Sequence, residues 1–179
     1  MTVILNGDKI LNSEELKAMQ APVKARYKDE PAAALITLKA RGTIGEGITC
    51  KVDTGRAIAE AGLHPATGGD GLSLCSGDML LEALVACAGV TLRAVSTAIG
   101  VTLGENTAVR AEGDLDFRGT LGVSREAPVG FQAIRLFFDL DTDATPEQQA
   151  SLMKLTERYC VVLQTLKQAN AVSSSHSVV

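Results

Sequence analysis

Two rhythms of apolar residues organise this chain. In "LITLKAR" (35–41), Ile36, Leu38 and Ala40 alternate with Thr37, Lys39 and Arg41; in "ITCKVD" (48–53), Ile48, Cys50 and Val52 alternate with Thr49, Lys51 and Asp53. A period of two is what a half-buried strand needs, and "GEG" at 45–47 joins the two into a predicted hairpin. The period returns in "AVRAEGDLDFR" (108–118), where Val109, Ala111, Leu115 and Phe117 oppose Arg110, Glu112, Asp114, Asp116 and Arg118. It returns again in "FQAIRLFFDLD" (131–141), where Ile134, Leu136, Phe138 and Leu140 oppose Arg135, Phe137, Asp139 and Asp141. Between the two pairs lies "GDMLLEALVACAGVTLRAVSTAIG" (77–100), with only Asp78, Glu82 and Arg93 charged. Its apolar residues fall on every face, which predicts a helix buried nearly all round. Glu82 and Arg93 stand about three turns apart and share one face.

Capping residues set the boundaries. Asn12, with Glu15 three residues on, starts a predicted helix to Lys28; Pro22 should kink or split it, and Pro31 ends it. Residues 1–31 therefore read as an N-terminal helical arm and 32–179 as the main domain. Residues 54–76 read as irregular, with room for one helical turn. Their glycines lack the GK[ST] of a nucleotide loop, and His64 reads as a surface residue. Ser76 is the expected N-cap of the long apolar helix and Gly100 its end. Thr145-Pro146-Glu147-Gln148 opens the last helix, with Cys160 inside it or at a break. The tail "AVSSSHSVV" is a short strand or unstructured. Strands in antiparallel-looking pairs, separated by helices, make the fold class α+β.

Composition narrows the function. Hydrophobic residues make up 46% of the chain and aromatics 3%, so the core rests on Val, Leu, Ile and Ala. The net charge is −4 and the basic residues are scattered, which argues against nucleic acid as a partner. No basic segment followed by a long apolar one marks the N-terminus as a signal peptide, so a cytoplasmic location is expected, where cysteines stay mostly reduced. The four cysteines form no CxxC pair, and only His64 and His176 offer imidazoles. Neither a metal nor a cofactor is expected. Met79 to Ile99 is long enough to span a bilayer, but Glu82 and Arg93 would each cost roughly 2.5–3.5 kcal/mol inside it. The expected role is a core helix, with no membrane partner.

Cys87 and Cys160 each lie in an apolar helical segment. Two readings stay open: inert packing, or a redox pair in which one thiolate attacks an electrophile and the other closes a disulfide. The second needs help, because an apolar pocket raises a thiol's pKa; an arginine and a carboxylate near Cys87 would supply it. Cys50 reads as a small buried hydrophobe. Cys75 precedes the long helix by one residue and lies about 18 Å of helix from Cys87, too far for a direct bridge.

"GDMLLEALVACAGVTLRAVSTAIGV", the preceding "GGDG", and "ERYCVVLQTLK" together resemble the OsmC/Ohr family (osmotically inducible protein C, organic hydroperoxide resistance protein) over roughly residues 35–175. The resemblance implies the OsmC-like fold, with two buried central helices in an intertwined homodimer. It implies a thiol peroxidase in which Cys87 attacks an organic hydroperoxide, Cys160 resolves as a disulfide, and a dithiol reductant, its identity unknown, regenerates the pair. It places an acidic residue before the first cysteine, here Asp78 rather than the usual Glu. It also places an activating arginine in the N-terminal strands or the following loop, for which Arg41 and Arg56 are the candidates. Val161 stands where the family often has Pro. These departures keep an alternative open: a non-catalytic redox sensor or small-molecule-binding protein on the same fold.

Overall fold

The computed structural model describes residues 12–34, 37, 41–44, 49–53 and 58–178; for several, including 41–44 and 49–53, backbone alone is described. Helix α1 spans Ser13–Asp29. Asn12 Oδ1 accepts from the Glu15 N–H at 2.9 Å, and Glu15 Oε2 accepts from the Asn12 N–H at 3.1 Å, the reciprocal cap its sequence predicts. Pro22 does not split the helix, which continues through it. Leu16 is buried where α1 meets the central helix.

Strands β1 (Arg41–Ile44), β2 (Thr49–Asp53) and β3 (Ile58–Gly62) form an antiparallel meander. The short β4 (Leu74–Cys75) adds to β3 in parallel. The predicted first hairpin is present, with Arg41 opposite Asp53 and Ile44 opposite Cys50. Its first strand is described over Arg41–Ile44; Thr37 is not in a strand, and the other residues of 35–40, like the "GEG" connection, lie outside the described residues. Strand β3 falls within the region predicted to be irregular. "IAEAG" carries one β-branched residue, so its strand state comes from pairing with β2 rather than from its own propensity.

The central helix α2 spans Ser76–Ile99. Its N-cap is Cys75, one residue earlier than predicted, and Cys75 makes no side-chain cap bond. Gly100 ends it in the left-handed region at φ 74°, a conformation glycine adopts without strain. The expectation of burial all round is corrected. Within this chain one stripe is buried: Leu84, Ala88, Leu92, Val95 and Ser96. Ala83, Ala86, Val90 and Arg93 are exposed on another side, with Val90 at 73%. Among the described elements, α1, β4, β5 and two C-terminal helices pack on α2.

Strands β5 (Ala108–Asp114) and β6 (Ala133–Asp139) pair antiparallel, from Ala108 opposite Asp139 to Asp114 opposite Ala133. The predicted strand through Arg118 stops at Asp114. Asp116 Oδ1 accepts from the Arg118 N–H at 3.0 Å and caps a four-residue helix, α3 (Phe117–Thr120), so the backbone leaves the ladder. Thr145 and Gln148 form the predicted capping box of α4 (Pro146–Tyr159). The helix then breaks at Cys160, whose φ and ψ of −71° and 104° are extended, and resumes as α5 (Val161–Lys167). Residues 171–178 are exposed and adopt no regular structure.

The stripe on α2 meets α4 and the apolar face of β5–β6 in two clusters. Leu92, Val95, Val101, Leu103 and Leu152 form one; Leu84, Ala88 and Cys160 form the other. Leu152 is 0% exposed and bridges α4 to α2. Leu152→Ala should destabilise the protein by about 2–5 kcal/mol, read as a lower urea midpoint at unchanged slope.

Candidate functional site

Cys87 lies in the middle of α2 and Cys160 at the α4–α5 break, and both belong to the cluster formed by Leu84 and Ala88, with Val162 and Leu163 packed against it. Both are free thiols; Cys160 is fully buried and Cys87 half-buried. The break explains the contact. Extended backbone at Cys160 ends α4 and starts a new helix, whose first N–H groups have no intrahelical acceptor. Those N–H groups meet the Cys87 sulfur.

The two thiols are driven in opposite directions. Burial pushes the Cys87 thiol up, but the Val162 N–H, the Cys160 thiol and the Val161 N–H donate to its sulfur, the Thr91 hydroxyl lies beside it, and together they hold it below its ordinary value. The Thr91 contribution is the weakest, because the same hydroxyl bonds the Cys87 carbonyl at 2.7 Å. Burial pushes the Cys160 thiol up; the Leu163 N–H opposes this, while donation of its proton to Cys87 and the Cys87 charge reinforce it, so Cys160 stays protonated longer. Among the described residues no cation contributes to the Cys87 shift. The arrangement can present one thiolate beside one thiol, the pair that a disulfide-forming reaction needs.

Native Cys87 loses its proton at a lower pH than the unfolded chain, so between its native and ordinary values stability rises with pH. Native Cys160 holds its proton longer, so above the ordinary thiol value its contribution falls as pH rises.

The other predicted residues lie apart from the sulfurs. Asp78 is exposed in the first turn of α2, about two and a half turns before Cys87 and so on the opposite side of the helix. Arg41 opens β1, its side chain outside the described residues, and Arg56 is outside them altogether. Cys75 lines a cavity of about 360 Å³ with His64, Asp78, Phe117 and Phe131. His64 is not a simple surface residue: its Nδ1 accepts from the Ala66 N–H at 3.0 Å and its ring stacks on Phe117 with centroids 5.0 Å apart. The donors from Val161 and Val162 escaped sequence reasoning, because backbone N–H groups carry no residue signature. Among the described residues no group of His, Cys, Asp and Glu is placed to hold a metal.

Beside the cysteine cluster runs an apolar groove of about 910 Å³. Leu80, Leu84, Phe131, Ile134, Leu136, Phe138, Met153, Leu163 and Leu166 line it, with Gln132, Glu157 and Lys167 as polar members. Lys167 Nζ and Glu157 Oε2 pair at 3.2 Å. Leu84, Ile134, Leu136, Phe138 and Leu163 belong to both the groove and the cysteine cluster, and neither cysteine lines the groove itself.

A half-buried and a buried cysteine meeting between a central helix and a helix break, under a two-stranded hairpin, define an α+β protein with a dithiol centre. The sequence profile of the OsmC-like protein family matches residues 68–175, and the chain belongs to the OsmC/Ohr family. No curated protein matches it in sequence. Solved structures share the fold. An OsmC-like protein from Mycoplasma pneumoniae has TM-score 0.62 at 13% identity, over 74% of this chain and 88% of that one. An organic hydroperoxide resistance protein from Elizabethkingia anophelis has TM-score 0.59 at 18% identity, over 75% and 90%. An organic hydroperoxide resistance protein OsmC from Legionella pneumophila has TM-score 0.57 at 18% identity, over 75% and 91%.

Val161→Pro tests the backbone donors. Proline suits the first position of a helix, and the extended Cys160 suits the residue before it. The variant should keep the fold, lose one donor to Cys87, and slow alkylation of Cys87 by iodoacetamide at neutral pH by up to about tenfold.

Proposed function

We propose that the protein is a cysteine-based peroxidase of organic hydroperoxides, with Cys87 as the attacking thiolate and Cys160 as the resolving thiol. The observation that carries this reading is the meeting of two free cysteines in one apolar cluster, Cys87 half-buried in α2 and Cys160 buried at the α4–α5 break. In the first step the Cys87 thiolate attacks the peroxide. An S–O bond forms, the O–O bond breaks, and the alkoxide takes a proton from water to leave as the alcohol. Cys87 is then a sulfenic acid. In the second step the Cys160 sulfur attacks the Cys87 sulfur, the disulfide forms, and the sulfenic oxygen leaves as water with the Cys160 proton. A dithiol of the reducing cytoplasm restores both thiols by exchange. The groove gives an alkyl or aryl group an apolar surface beside the sulfurs.

The homodimer is part of the same proposal. Helix α2 is long and apolar enough to cross a membrane by length and composition, yet only 28% of its apolar window is buried within the chain. The exposed stripe of Ala83, Ala86 and Val90 suits close packing on a second copy. Arg41 and Arg56 are the proposed sources of a cation for the peroxide step, and Asp78 the proposed acid that orients it.

A non-catalytic carrier of apolar small molecules is the reading the groove alone would favour. The two separate cleanly. Cys87→Ser should abolish consumption of cumene hydroperoxide. Cys160→Ser should stop turnover while Cys87 is still oxidised to one equivalent. A Cys87→Ser protein that consumes peroxide at the wild-type rate would sink the peroxidase reading.

A further inference from the structure

Thr156 lies on the buried side of α4 and has no part in the chemistry above. It is 0% exposed, and its Oγ1 finds no hydrogen-bond partner among the described residues. Helical threonines ordinarily bond back to the carbonyl one turn earlier. Thr91 does so to Cys87 at 2.7 Å and Thr97 to Arg93 at 2.9 Å, whereas Thr156 leaves its own unused. A buried hydroxyl without a partner is destabilising, and valine would fill the same volume without that penalty.

Its position gives the hydroxyl a use. Leu152, Thr156 and Cys160 follow one another at intervals of four, and all three are 0% exposed. The Cys160 N–H donates to the Thr156 carbonyl at 3.0 Å, so the hydroxyl stands one helical turn before the resolving sulfur. Side chains so spaced have Cβ atoms about 5–6 Å apart. Thr156 also falls between the two apolar clusters: Leu152 belongs to one and Cys160 to the other.

We infer that Thr156 is a positioning residue for the resolving step, its hydroxyl taking the Cys160 thiol hydrogen once Cys87 has been oxidised. This rests on the peroxidase reading. In the reduced protein Cys87 packs against the cluster that holds buried Cys160, so the Cys87 thiolate is the acceptor within reach of the Cys160 S–H. Oxidation turns that thiolate into a neutral sulfenic acid, a far poorer acceptor, and the buried Cys160 S–H needs another. Thr156 Oγ1 is the free acceptor one turn away. Bonded there, the S–H turns from Cys87 and leaves a sulfur lone pair facing it. The sulfurs then join, and the S–O bond of Cys87 breaks. The Thr156 hydroxyl takes up the Cys160 proton as it gives its own to the departing sulfenic oxygen, which leaves as water, and Thr156 ends unchanged.

The test is a single turnover of full-length wild type, Thr156→Val and Thr156→Ser with one equivalent of cumene hydroperoxide. Samples are quenched with dimedone over time and read by mass spectrometry. Thr156→Val should form the Cys87 sulfenic acid at the wild-type rate, close the disulfide about tenfold more slowly, and give more Cys87 sulfinic acid under excess peroxide. Thr156→Ser should restore closure. The reduced Thr156→Val protein should melt no lower than wild type, which separates this role from a structural one. Closure at the wild-type rate in Thr156→Val, or a lower melting temperature of its reduced form, overturns the inference alone. A wild-type protein that forms no Cys87–Cys160 disulfide overturns the peroxidase reading and this inference with it.

Discussion

The site depends on one interruption of backbone hydrogen bonding. At Cys160 the chain leaves helical geometry for a single residue and then re-enters it. Had α4 run on, the N–H groups of Val161 and Val162 would have been spent on carbonyls four residues earlier. The break frees them, and both point to the Cys87 sulfur. A thiol half-buried among Leu84, Ala88 and Leu163 would otherwise be a weak acid. Here the neutral dipoles of a helix start offset burial within the chain itself, before any arginine is added. The same residue that makes the break supplies the second sulfur, so activation and resolution are coupled at one position.

Much of this was legible in the sequence, and the gaps have physical causes. The capping boxes at Asn12–Glu15 and Thr145–Gln148 read directly, because they need only local residue types. The β5–β6 hairpin read from its period of two, and its early end did not, because Asp116 competes for backbone N–H groups that the alternation alone assigns to the ladder. Strand β3 was missed because alanine-rich "IAEAG" becomes a strand only through its partner β2. Cys87 and Cys160 were legible as a pair only through the layout of the whole domain. Their opposed acidities were not, since they arise from main-chain donors and from which sulfur is more deeply buried.

The apolar sequence of α2 and its partial burial bear on the same design. A helix hydrophobic on every face predicts cover on every face. One chain provides it along Leu84, Ala88, Leu92 and Val95, and leaves Ala83, Ala86 and Val90 uncovered. The support that Cys87 receives among the described residues comes from neutral donors of its own chain.

The central claim is that the helix start after Cys160 holds the Cys87 thiol below its ordinary value. Ultraviolet thiolate absorbance of the reduced protein, titrated with pH and compared with Cys87→Ser, measures it most directly. The account predicts that Cys87→Ser removes a thiolate whose midpoint lies below that of an ordinary cysteine, leaving the higher-titrating Cys160 in place. A Cys87 that titrates at or above the ordinary value would contradict it.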